Sequence, residues 1–105
     1  MRDPIWKLIC QNLSLLKGAK LAVLVDIYAH STNGCASPSV KTLATETGYN
    51  VHTIFEALAE LCQLTIQGQR VLLRYQPQGE GGFLQNRYLL CPTAEEIAQH
   101  ERTQP

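Results

Sequence analysis

Val40 to Leu61, V-K-T-L-A-T-E-T-G-Y-N-V-H-T-I-F-E-A-L-A-E-L, is the stretch whose reading decides the fold. Val40, Leu43 and Ala44 recur at i, i+3, i+4, which places them on one face of a helix. Gly48 ends that helix, because glycine accepts the left-handed conformation of a C-terminal cap. Asn50 opens a second helix as its N-cap, with a side-chain oxygen able to accept a backbone N–H two or three residues on. Ile54, Ala57, Leu58 and Leu61 make the apolar face of that second helix.

The periodicity alone also fits a plain helical hairpin, and the spacing separates the two. Ala44 is small where the helices cross, Gly48 follows four residues later, and Ile54 six after that. This is the arrangement a helix-turn-helix requires.

Outward from this centre, Asp3-Pro4 predicts a helix start, an acidic N-cap followed by proline at the first helical position. Ile5, Trp6, Leu8 and Ile9 continue it as a short apolar segment. Trp6 reads as a packing anchor, and a segment this apolar must dock on the body or on a second subunit. Gly18 to Ser31 predicts the first long helix. Leu21, Leu24, Val25 and Tyr28 share one face and Ala22, Val23 and Ile27 widen it, so the helix should be largely buried. Residues 31–34, S-T-N-G, form a turn cluster; Cys35-Ala36 is long enough for one strand bridge; Ser37-Pro38-Ser39 supplies a cap and a proline for the next helix.

After Leu61 the period changes from 3.6 to 2. Leu64, Ile66, Val71, Leu73 and Tyr75 alternate with polar residues, broken at Gly68. Residues 76–82, Q-P-Q-G-E-G-G, are a glycine-rich turn, and Phe83 to Leu90 resumes as a strand, which predicts a β-hairpin. Thr93-x-x-Glu96 is a capping box for a tail helix from Ala94 to about Glu101.

A chain of 105 residues predicts one domain with one modest core. Nine basic residues balance nine acidic ones, so no global field draws the chain to nucleic acid or to a membrane. The local balance is uneven: residues 42–69 carry Glu46, Glu56 and Glu60 and no base, whereas the flanks on both sides are net positive. The longest apolar run, Leu21 to Ala29, is broken by Asp26 and too short to span a bilayer, which predicts a cytoplasmic protein. Cys10, Cys35, Cys62 and Cys91 lack zinc spacing and read as free thiols in a reducing compartment. No metal and no cofactor are expected. His30, His52 and His100 have no acid or nucleophile at a meaningful spacing, and no phosphate loop or nucleophile elbow is present, so an enzyme is not expected.

Four pieces in order resemble the winged helix-turn-helix domains of plasmid and phage replication proteins and related bacterial regulators. They are L-S-L-L-K-G-A-K-L-A-V-L at 13–24, G-C-A-S-P-S-V-K-T-L-A-T-E-T-G at 34–48, T-I-F-E-A-L-A-E-L at 53–61 and N-R-Y-L-L at 86–90. The resemblance spans about residues 13–91. It implies an α+β fold, a three-helix core plus a small antiparallel β-hairpin wing, flanked by an N-terminal segment at 1–12 and a tail with a short helix at 92–105. It also implies double-stranded DNA as the partner, although some members of the family serve as docking or dimerisation modules.

The sequence departs from the family on the exposed face of the second helix, which usually carries arginine or lysine. Here those positions are Val51, His52, Phe55, Glu56 and Ala59. Phosphate neutralisation supplies most of the affinity of ordinary DNA binders, so the anchors must lie elsewhere. Lys41, Lys17, Lys20, Arg70, Arg74 and Arg87 are the candidates. Two functions follow. One is sequence-specific binding of duplex DNA by a small bacterial, phage or plasmid regulator of transcription or replication. In it Asn50, His52, Thr53 and Glu56 face the groove, Lys41, Arg70, Arg74 and Arg87 hold phosphates, and a homodimer is expected because one recognition helix buries little surface. The other is protein contact, as an adaptor, inhibitor or dimerisation module, through the stripe of Val51, Phe55 and Ala59 and through Trp6.

Overall fold

A computed structural model describes residues 4–32, 34–75 and 87–103. The N-cap Asp3, Asn33 of the first turn cluster, the glycine-rich turn at 76–82 and the start of the last strand at 83–86 lie outside the described residues. Six helices and five short strands are described: α1 (Pro4–Gln11), α2 (Leu13–Leu16), α3 (Ala19–His30), β1 (Cys35–Ala36), α4 (Val40–Thr47), α5 (Val51–Gln63), β2 (Thr65–Ile66), β3 (Gln69–Arg70), β4 (Leu72–Tyr75), β5 (Arg87–Leu90) and α6 (Ala94–Thr103).

The helix ends follow local hydrogen-bond chemistry. The Thr42 N–H donates to Ser39 Oγ at 3.0 Å and starts α4. Gly48, at φ 84°, closes it in the left-handed conformation, and its N–H reaches the Ala44 carbonyl. The Thr53 N–H donates to Asn50 Oδ1 at 2.8 Å and starts α5. At α6, Thr93 and Glu96 exchange bonds of 2.9 and 3.1 Å, the reciprocal capping box.

α3, α4 and α5 enclose the core. Val23, Leu24 and Ile27 of α3, Leu43 of α4, and Ile54, Ala57, Leu58 and Leu61 of α5 are buried together. Ile9 of α1 and Leu16 of α2 join the same core, as do Leu72 of β4 and Tyr88 and Leu90 of β5. A three-stranded antiparallel sheet runs β1-β5-β4, with Cys35 opposite Leu89 and Leu72 opposite Leu90. The three-helix core with this sheet is a winged helix-turn-helix, of class α+β.

Three details differ from the sequence reading. The inward face of α3 is Val23, Leu24 and Ile27, whereas Leu21, Val25 and Tyr28 are only half-buried; packing against both α4 and α5 rotates the buried stripe. Residues 64–75 are not one broken strand. Gln67 (φ 53°) and Gly68 (φ 80°) both have positive φ and fold β2 back on β3 as a tight hairpin before β4 begins. This shifts the alternation, so Val71 and Leu72 are both buried while Leu73 is half-exposed. Among the described residues, no helix is long and apolar enough to cross a membrane.

Candidate nucleic-acid interface

α4, the turn at Gly48 and α5 form the helix-turn-helix, and α5 turns one side outward. That side carries Val51, His52, Phe55, Glu56 and Ala59, all exposed, with Val51 at 46% and Phe55 at 49%. His52 Nε2 lies 3.0 Å from Glu56 Oε1 one turn on, so the two polar groups at the centre of this face are partners. Thr53 is half-buried, and Asn50 spends its carbonyl oxygen on the cap, leaving its amide N–H groups for a ligand.

The candidate basic residues are spread over the link before α3, α3, α4 and three strands. Lys41 and Lys17 are exposed. Lys20 is 3.6 Å from Glu60. Lys17, Lys20, Thr53, Glu56 and Glu60 line an open cleft of about 220 Å³ between the start of α3 and α5. Arg70 turns inward and donates from Nη2 to the Cys62 carbonyl at 3.0 Å, satisfying a carbonyl at the end of α5. It therefore departs from the phosphate-facing role expected of it. Arg74 stays exposed on β4 beside Cys62, and burial pushes the Cys62 thiol up despite that neighbouring charge. Arg87, exposed, lies opposite Tyr75 on the same face of the sheet. Burial and the nearby Cys35 thiol, 3.8 Å away, push the Tyr75 hydroxyl up, while Arg87 pulls it down. Trp6 of α1 stacks on Tyr28 of α3, with ring centroids 5.5 Å apart, and leaves 44% of its surface open.

One cluster escaped the sequence reading. His30 does have acids at hand. Its Nε2 is 2.7 Å from Glu46 Oε1 and 3.9 Å from Asp26 Oδ1. Asp26 is four residues before His30 on α3, a helical neighbour that spacing could have revealed, but Glu46 arrives from α4. The hydrogen bond to Glu46 raises the imidazole pKa, and the same bond lowers that of Glu46. Partial burial, reinforced by the nearby Glu46 carboxylate, raises that of Asp26.

A family model described as a helix-turn-helix domain matches residues 14–66. The chain belongs to this helix-turn-helix family. The matched span runs from α2 through β2 and so contains α3, α4 and α5, whereas β4 and β5 lie beyond it. Comparison with curated proteins and with solved structures returned no match. Membership in the helix-turn-helix family points to DNA binding as the general function.

Proposed function

We propose that the chain binds duplex DNA sequence-specifically, as a small bacterial, phage or plasmid regulator of transcription or replication. The observation that carries this is α5 itself: a capped helix packed by Ile54, Leu58 and Leu61 on one side, with the opposite side exposed. On that side Glu56 can accept from cytosine N4 and Val51 can meet a thymine methyl, and the Asn50 amide can donate at the helix start. Of the six candidate cations, Lys17, Lys41, Arg74 and Arg87 stay exposed and can hold phosphates. One helix with so few cations binds weakly, so the reading includes a homodimer that doubles both readout and charge. It assigns the chain no catalytic step.

Salt dependence tests this reading. About four phosphate contacts per protomer give a slope of log K against log salt of roughly −3 to −4, doubled for a dimer. Fluorescence anisotropy with selected and random duplexes, at 50 and 200 mM salt, measures it. Binding that does not change with salt, or the same affinity for every duplex, overturns the proposal.

A second reading rests on Val51 and Phe55, apolar side chains left half-exposed in the middle of the presented face. A protein surface suits them better than a polyanion does, and the His52–Glu56 pair adds no positive charge. Phe55→Arg separates the two readings. It preserves or strengthens DNA binding if α5 meets DNA, and it abolishes association if α5 meets protein.

A further inference from the structure

Asp26, His30 and Glu46 lie on α3 and α4, the pair of helices behind α5, and the DNA-binding reading makes no use of them. Each offers one ligand atom, and all these atoms lie within 4.8 Å of one another. We propose that the three residues bind one divalent transition-metal ion, of the zinc, nickel or cobalt kind, and that the ion ties α3 to α4.

The geometry carries the assignment. Asp26 and His30 project from the same face of α3 one turn apart, and Glu46 reaches across from α4, so the donors come from two rigid elements rather than from a loop. Donors on one ion at about 2.0–2.2 Å are at most about 4.4 Å apart. Tetrahedral donors are about 3.3–3.6 Å apart, so the set closes on an ion with side-chain shifts of about an ångström, within the reach of rotamer adjustments on two fixed helices. The 2.7 Å hydrogen bond between His30 and Glu46 opens as the imidazole gives its lone pair, and its proton, to metal and solvent respectively.

The surroundings agree. Two carboxylates face a single imidazole nitrogen, which can donate to only one of them at a time. Asp26 Oδ2 is buried and makes no hydrogen bond among the described residues, an arrangement costly for a carboxylate and relieved by a cation at its side. Side-chain exposures of 17% at Asp26, 37% at His30 and 44% at Glu46 leave a path from solvent and room for waters to complete the coordination. The donor set, one nitrogen and two oxygens, selects the class of ion. Imidazole favours zinc, nickel and cobalt, while magnesium and calcium prefer oxygen alone.

The test uses the whole chain, stripped of metal and of any affinity tag. Isothermal titration with Zn²⁺, Ni²⁺ and Mg²⁺ should show one equivalent of Zn²⁺ or Ni²⁺ bound, with Mg²⁺ far weaker. His30→Gln and Glu46→Gln should each lower the affinity by more than about tenfold, since even outer-shell partners are worth that much. Far-UV circular dichroism verifies that both variants fold. The four free cysteines, Cys10 exposed among them, are the competing donors. Absorption of the Co²⁺ form tests them in the unaltered protein, because thiolate ligation gives an intense near-ultraviolet charge-transfer band and nitrogen–oxygen ligation does not. The proposal expects weak visible bands alone. A thiolate band, an affinity unchanged in both variants, or no saturable binding of Zn²⁺ or Ni²⁺ overturns it.

Discussion

Both sides of α5 carry large apolar side chains, and their fates are opposite. Ile54, Ala57, Leu58 and Leu61 are sealed, at most 3% exposed, whereas Val51 and Phe55 on the outer side keep nearly half their surface in water. Between these apolar residues hydrophobicity does not decide the outcome; the positions of α3, α4 and β4 do. The inner side gains the full transfer free energy of its side chains, about 1.5–3 kcal/mol for each large one, whereas the outer side leaves much of that gain to whatever the helix meets. The inner side thus serves stability, and the outer side is available for recognition.

Truncation gives the sharpest contrast. Leu58→Ala should destabilise by about 2–5 kcal/mol, through lost burial and the cavity left behind. Phe55→Ala should stay within about 0.5 kcal/mol, as surface changes do. Urea unfolding of the two variants measures both, and comparable losses would dissolve the division between the faces. Gly48→Ala comes next. An added Cβ meets nothing within 4 Å, so the cost is the backbone's alone, about 1–2 kcal/mol for an L side chain at φ 84°. A loss near zero would mean that the turn rearranges, taking the outer face of α5 with it. Asn50→Ala should cost about 1 kcal/mol through the lost cap, read as a shift in the urea midpoint.

The smallest effect is expected where α3 meets α4 through His30. Its raised pKa favours the protonated form in the folded state, so this stabilisation is complete below about pH 6.5 and is lost as the pH rises through the folded-state value. The lowered pKa of Glu46 adds stability above about pH 4.3, lost as the pH falls through its folded value. Asp26 acts the other way, because its raised pKa makes its ionisation subtract from stability above about pH 3.9. Thermal melts in chelator between pH 4 and 8 should show a shallow decline on the alkaline side that Glu46→Gln flattens. Exposure keeps the effect small.

The sequence by itself determined what depends on residues three or four apart. The bounds of α4, the start of α5, the caps at Ser39, Asn50 and Gly48, and the Thr93–Glu96 box are legible because each is a hydrogen bond or dihedral preference within one helical turn, whereas α5 runs on past Leu61 to Gln63. The inward stripe of α5 was equally legible, since a 3.6-residue period needs no partner to be seen. The stripe of α3 was not, because seven apolar residues surround most of that helix and only its neighbours select Val23, Leu24 and Ile27. Likewise, the tight turn at Gln67-Gly68 displaced the alternation expected of β4. The charges were least legible. Arg70 became a partner of the Cys62 carbonyl, Lys20 of Glu60, and His30 of Glu46 across sixteen residues of sequence. A charged side chain is long and can be satisfied in water, so its sequence neighbours do not fix where it ends; only the packed helices decide which carbonyl or carboxylate lies within its reach.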